Sequence, residues 1–335
     1  MTTISIPPPP DFPDNKTNHD NILKKFKTMD VQALRDYIET LVSRGSTQAE
    51  LARKCDISSA AFSQFLSGKY GAKEDALAEK IATGLNWYTN TWKSVDTVSS
   101  YRQVKLYLTA AKKNHRWFCI SSRSGSGKTH SLLDLYNTCP DNSIIYLKCW
   151  KWTARKFLQK LGRQLGLAFS RYTDTDEMIQ QVTAAVNRMA DRNPVLVLDD
   201  CGKLSNSAMA CLIPLYDDTK YRMGCLLAGT ETLRRTIKRN VGRVDGFDEI
   251  DGRVVRNYIT LLGATKKDVR AICAANGVTD PEEQDEIWGK LDKVEKLPSE
   301  ESRRAVWFVD DLRELEGMIM DKLIRRQVAS GEIAV

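Results

Sequence analysis

Residues 122–129 read S-R-S-G-S-G-K-T, between the apolar run W-F-C-I-S and a stretch of helical periodicity. A loop of this composition, set between a strand and a helix, binds phosphate. Gly125 and Gly127 let the main chain turn tightly, so that its N–H groups converge on an anion. Lys128 supplies positive charge for the β and γ phosphates, and the Thr129 hydroxyl can sit on Mg²⁺. Ser124, Ser126 and His130 join these residues as candidate ligands for ATP with Mg²⁺. Ser122 stands where such loops usually open with glycine, while the inner glycines and the G-K-T ending are intact. The plain alternative is a Gly/Ser turn between strand and helix.

Two carboxylates complement the loop. The run V-L-V-L-D-D at 195–200 is an apolar strand with an acidic end. Beside a phosphate loop, Asp199 is the residue to support Mg²⁺. The next position usually carries a glutamate that polarises the attacking water. Here it is Asp200, one methylene shorter, and general-base geometry is sensitive to such distances, so slow hydrolysis is expected. Otherwise the two acids merely cap a strand end. The strand C-L-L-A-G, between the two motif strands, ends at Thr230, which senses the γ phosphate, N-caps the next helix, or does both. In G-R-V-V-R-N-Y-I-T-L, Arg253 and Arg256 precede the last strand, where an arginine can reach a neighbouring subunit's nucleotide. Arg253 is the favoured one. Arg303 and Arg304, in E-S-R-R-A-V, are candidates for approaching the nucleotide from the C-terminal end.

The elements that must position these residues alternate. Strands are predicted at 117–121, 144–148, 195–199, 225–229 and 258–262, with helices after the phosphate loop and at 153–166, 174–190, 205–216 and 230–239. This alternation predicts an α/β domain over 99–263, a parallel sheet covered by helices on both faces. After Gly263, helical patterns at 265–276, 281–291 and 300–328 predict a small all-α lid over 264–335. Residues 1–20 are proline-rich and polar and are expected to be a disordered arm. Residues 21–92 form an all-α unit, and 93–98 read as a linker.

Composition sets limits on this reading. The 335 residues are 42% hydrophobic and 28% charged with a formal net charge of +7, a soluble globular protein whose charge suits a polyanionic partner. Eight cysteines without a C-x-x-C pair argue against a zinc or disulfide framework and favour a reducing cytosol. No apolar run approaches the ~18 residues of a membrane span, and the N-terminus lacks a signal-peptide core.

Two segments point to double-stranded DNA. S-T-Q-A-E-L-A-R-K-C-D-I-S-S-A-A-F-S-Q-F-L-S-G-K-Y, residues 46–70, has the form of a helix-turn-helix. Thr47 starts the first helix, Cys55-Asp56-Ile57 makes the turn, and Ser58 caps the second helix. Gln48, Ser59, Ser63 and Gln64 point outward toward a groove, with Lys69 near phosphate. A bare protein-docking module is the alternative. The second segment is K-C-W-K-W-T-A-R-K, in which Lys148, Lys151, Arg155 and Lys156 are candidates for holding phosphates without reading bases. Trp150 and Trp152 either stack or pack under the helix, and Arg171 in F-S-R-Y-T-D-T is a weaker candidate. An ordinary solvated helix face is the alternative for these charges.

The phosphate loop, acidic strand end, polar strand tip, late arginine and helical end together resemble the AAA+ ATPases. Joined to the helix-turn-helix, the motifs T-Q-A-E-L-A-R-K-C-D-I-S-S-A-A-F-S-Q-F-L-S-G-K-Y, S-G-S-G-K-T, V-L-V-L-D-D, A-G-T-E-T-L and G-R-V-V-R resemble the phage Mu transposition protein B family. That resemblance implies ATP-bound helical oligomers or rings on target DNA, without base preference, that recruit and stimulate a transposase and are released by hydrolysis. Other readings are a helicase loader of a mobile element and an ATP-responsive transcription regulator.

Overall fold

The structure, a computed structural model, describes residues 30–71, 74–87, 92–254, 256–298 and 304–331. The expected arm at 1–20 lies outside the described residues. Four helices, α1 (Val31–Ser43), α2 (Gln48–Cys55), α3 (Ser59–Leu66) and α4 (Glu74–Gly84), form the N-terminal unit. Their apolar stripes meet in a core that includes Leu34, Ile38, Leu51, Phe62, Phe65 and Ile81. Thr47 and Glu50 close a capping box at the start of α2, Asp56 turns the chain in the left-handed region (φ 58°), and Ser58 caps α3. Gln48, Ser59, Ser63, Gln64 and Lys69 all face solvent. The unit is anchored to the rest of the chain. Arg44 donates to the Asn137 and Cys139 carbonyls, both at 2.9 Å, at the C-terminal end of the helix that begins at Lys128.

The α/β domain opens with α5 (Ser99–Asn114) and β1 (Trp117–Ser121). There follow α6 (Lys128–Thr138), β2 (Ile144–Lys148), α7 (Ala154–Gln164), α8 (Thr175–Asn187) and β3 (Val195–Asp199). Two short helices, α9 (Asn206–Ala210) and α10 (Leu212–Thr219), lead to β4 (Gly224–Gly229). The domain closes with α11 (Glu231–Asn240), α12 (Phe247–Arg253) and β5 (Tyr258–Ile259). The strands pair in parallel in the order β2-β3-β4-β1-β5. Their near-continuous apolar runs are what a sheet buried on both faces requires. Alternate side chains enter two cores: Cys119, Leu196, Leu198 and Leu227 on one face, Ile120, Val195, Val197 and Leu226 on the other.

Two predicted elements are corrected here. The helix expected over 205–216 breaks at Cys211, because Pro214 has no N–H to return to the Ala210 carbonyl. The strand expected to reach Leu262 ends at Ile259, because the Leu261 and Leu262 N–H groups go to Ser122 Oγ (3.3 Å) and Gln103 Oε1 (2.8 Å).

The C-terminal piece is not all-α. It contains α13 (Lys266–Ala275), α14 (Pro281–Lys290), an antiparallel pair β6 (Val294–Lys296) and β7 (Val306–Phe308), and α15 (Leu312–Ala329). V-W-F is β-branched and aromatic and pairs where a helix was expected, so the last helix starts only at Leu312. Lys296 anchors the pair, forming an ion pair with Asp310 and donating to the Leu262 carbonyl (3.0 Å). Among the described residues no helix is long and apolar enough to cross a membrane.

Candidate active site

β1, β3 and β4 end side by side, and the loops leaving them enclose a cavity of 340 Å³ with the segment before α5 and helices α13 and α15. Strand C-termini in an open parallel sheet are where ligands bind. Ser121 ties β1 to the strand beside it: its hydroxyl donates to the Thr230 carbonyl (3.0 Å) and accepts the Arg234 N–H (3.2 Å). Ser122, the departure from the usual glycine, is buried, and its hydroxyl accepts the Leu261 N–H. The substitution thus joins the start of the loop to the segment after β5.

Lys128 is buried at the N-terminus of α6 and donates to the Ser122 (2.9 Å) and Arg123 (2.8 Å) carbonyls and to Ser126 Oγ (2.9 Å). Burial pulls its ammonium down to about 8, against Asp199 and Asp200, which raise it. Asp199 is buried at the end of β3, accepting hydrogen bonds from Tyr146 (2.9 Å) and Thr129. Burial pushes its carboxyl above the usual range, an effect those hydrogen bonds oppose. Asp200 sits in the left-handed region (φ 57°) and lines the cavity, its carboxylate 2.8 Å from Lys203 Nζ. Ser124, Gly125, Ser126, Gly127, Thr129 and His130 line the cavity as the sequence led one to expect, with His130 Nε2 2.7 Å from Ser94 Oγ.

Two parts of the wall were not legible in the sequence. The 93–98 segment, read as a linker, lines the cavity with Ser94, Val95 and Val98, joined by Trp92 just before it. Facing Ile272, Leu312 and Leu315, these make an apolar end suited to a nucleobase, opposite the polar loop. The second is the N-terminus of α15. Leu312 N–H donates to the Gly125 carbonyl (2.9 Å), and Arg313 Nη1 donates to Ser124 Oγ (3.0 Å). Gly125 has φ 83°, and a Cβ there would overlap the Asp311 carboxylate, so only glycine fits between loop and helix. Arg313 therefore holds the place assigned to Arg303 and Arg304. Arg303 lies outside the described residues, and Arg304 is exposed just before β7. Starting the helix near residue 300 had put Arg313 a dozen residues inside it.

Thr230 lines the cavity at the tip of β4, and its side chain makes no capping hydrogen bond to α11. Arg253, the arginine expected to reach a neighbouring subunit, has a side chain 11% exposed, paired with Asp217 (2.8 Å) and Glu249 (3.0 Å) and lying 4.7 Å over the Tyr216 ring, so that within this chain it ties α10 to α12. Arg256 is 67% exposed, with Nε 3.5 Å from buried Asp251 and φ 52°.

Residues 111–237 match a family model described as an AAA domain. The central unit has the AAA+ fold. No curated protein matches the chain. Among solved structures it is similar to Cdc6p from Pyrobaculum aerophilum, with 18% identity and TM-score 0.42, covering 57% of this chain and 52% of that one. It is also similar to the ADP form of the Aeropyrum pernix ORC2 protein, with 14% identity and TM-score 0.43, covering 60% and 58%. The chain thus spans little more than half of either protein. The AAA domain implies a nucleoside triphosphate with a divalent cation, and these residues fit both. Among the described residues no cluster of three or more His, Cys, Asp or Glu side chains could hold a metal alone. Thr129 and Asp199, hydrogen-bonded to one another beside the loop, suit Mg²⁺, which takes one or two protein ligands and completes its shell with phosphate and water.

Beside this AAA-domain pocket, the β2–α7 connection is partly exposed. Lys148, Lys151, Lys156 and Arg171 face solvent, and none forms an ion pair among the described residues. Arg155 is otherwise engaged, donating to the Thr173 (2.6 Å), Ser170 (3.2 Å) and Arg171 (2.7 Å) carbonyls, so it shapes the 170–173 loop. Trp150 and Trp152 separate: Trp150 is exposed, and Trp152 packs against the core under Lys160.

Proposed function

We propose that this chain is an ATPase that grips DNA when ATP joins one protomer to the next. The observation that carries this reading is one pocket uniting Lys128, Thr129, Asp200, Thr230 and Arg313, with Asp199 bonded to Thr129 behind it. Lys128 and the loop N–H groups hold the β and γ phosphates. Thr129 and Asp199 would hold Mg²⁺, which neutralises charge on the transferred phosphoryl group. Asp200 orients the attacking water, Thr230 holds it, and Arg313 reaches the phosphates from α15. Water adds to the γ phosphorus as the bridging bond to ADP breaks.

Arg256, solvent-exposed beside the last strand, is the arginine offered to the neighbour's nucleotide. Arg256→Ala should leave nucleotide affinity intact and lose hydrolysis. Mixing it with the phosphate-loop variant Lys128→Ala should restore turnover, since each supplies what the other lacks. Failure of that mixture to hydrolyse ATP would place the trans-acting group elsewhere.

The Asp200 carboxylate is held by the Lys203 ammonium at 2.8 Å, a contact it must give up to orient the attacking water. Lys203→Ala should therefore raise unstimulated hydrolysis by about fivefold, the value of a partly exposed pair. Steady-state phosphate release checks this, and an unchanged or lowered rate would show that the pair does not restrain Asp200.

Lys148, Lys151, Lys156 and Arg171 contact duplex phosphates without reading bases. Gln48, Ser59, Ser63, Gln64 and Lys69 on the N-terminal helix-turn-helix give a second DNA surface. The order of parts, helix-turn-helix then AAA domain then lid, supports a regulator of target selection in transposition that recruits a transposase and is released on hydrolysis. Footprinting tests this: uniform ATP-dependent protection is expected, and a single protected palindrome would mean an operator-specific regulator.

A further inference from the structure

The reading of the β2–α7 face as a DNA contact leaves its most conspicuous side chain without a role. Trp150 is 60% exposed. Trp117 is in the core and Trp152, only two residues away, packs against it, whereas Trp307 in β7 is also exposed. A large exposed ring set among exposed cations offers an interaction surface. Its surroundings identify the partner. Lys203 Nζ lies 4.8 Å from the Trp150 ring centroid, and the exposed cations Lys148 and Lys151 flank it in sequence. A second exposed aromatic stands in the 170–173 loop. Tyr172 is 85% exposed, with the Arg171 guanidinium 5.4 Å from its ring, in the loop that Arg155 ties to the first turn of α7.

An aromatic plane with one ammonium over it and two exposed lysines flanking it in sequence suits a nucleobase with its phosphates. A protein partner's apolar anchor would gain from the ring and not from the cations. In an intact duplex both faces of every base are already stacked. A ring at this position gains a stacking partner only where bases are unpaired, as at a gap, a mismatch or a melted step. Resting on the proposed DNA-binding role, we propose that Trp150 is a stacking site for unpaired nucleobases, so that this protein settles preferentially on distorted DNA.

The test compares one fluorescent duplex, fully paired or with a short central mismatch bubble, bound by the full chain with a non-hydrolysable ATP analogue. Wild type should bind the bubbled duplex about tenfold more tightly, the scale of one stacked base. Trp150→Ala should erase that preference while binding the paired duplex as wild type does, and Trp150→Phe should keep it. Because Trp150 is exposed, neither change threatens the fold. Equal affinity of wild type for both duplexes, or a preference that survives Trp150→Ala, would overturn the stacking site and leave the DNA-binding reading standing. Failure of wild type to bind either duplex would remove both.

Discussion

Replacing Lys128 with alanine is expected to weaken ATP binding by about a hundredfold or more, because charge-assisted hydrogen bonds contribute about 1.5–3 kcal/mol each. ATP-dependent DNA binding should go with it. In the free protein the ammonium is spent on the Ser122 and Arg123 carbonyls and on Ser126, so nucleotide binding exchanges loop acceptors for phosphate oxygens. The same geometry makes a pH prediction. Free Lys128 has been pulled down to about 8 by burial. A bound triphosphate stabilises the charged form, so the bound value is higher and binding takes up a proton. Affinity should therefore be level below the free value and fall as pH rises through and beyond it, by up to about tenfold per pH unit. Calorimetric titration across that range checks the slope, and Lys128→Ala should abolish it. A wild-type affinity independent of pH would mean that the ammonium does not meet the phosphates.

Asp199→Asn should divide function from stability. Loss of the anion that would support Mg²⁺ should slow hydrolysis by about a hundredfold to a thousandfold, the scale seen when one charge-stabilising group is removed. The fold should not suffer. The Asp199 carboxyl is buried and shifted upward, so at neutral pH its ionised form costs stability that an isosteric amide does not. The sign follows from proton counting: a raised native value means the folded state binds more protons, and stability declines as pH climbs past the ordinary carboxylate range. The amide oxygen can keep the Asp200 N–H (3.0 Å), and the NH2 can donate to the Tyr146 hydroxyl, which accepts as well as donates. Thermal melting of the metal-free protein should show a midpoint at or above wild type, alongside the collapse in turnover. A lowered midpoint would mean that the ionised carboxylate is a structural partner, and unchanged turnover would move the Mg²⁺ support elsewhere.

Much of this site was legible because the chemistry stands at strand ends. Buried parallel strands are uniform apolar runs, so W-F-C-I-S, I-I-Y-L-K and V-L-V-L-D declare both their limits and the residues that follow them. What escaped depends on tertiary pairing. Nothing periodic in V-E-K announces a strand until V-W-F lies beside it. Absorbing V-W-F-V into a long helix hid the signal D-D-L-R, in which Asp311 caps α15 and Arg313 is carried onto the phosphate loop. The sequence favoured Arg253 over Arg256. Only the carboxylates of Asp217 and Glu249, supplied by α10 and α12, show that Arg253 is the more enclosed of the two, while Arg256 is largely exposed beside Asp251. The polar run before α5 resembled a linker because its apolar members, Val95 and Val98, are sparse and face a cavity whose opposite wall comes from α13 and α15.

Electron microscopy of the full chain with random-sequence duplex, with and without a non-hydrolysable ATP analogue, addresses the central claim most directly. Regular oligomers coating the DNA are expected only with the analogue, for wild type and for Asp199→Asn but not for Lys128→Ala. Particles that remain single and ignore the duplex equally in both conditions would contradict it.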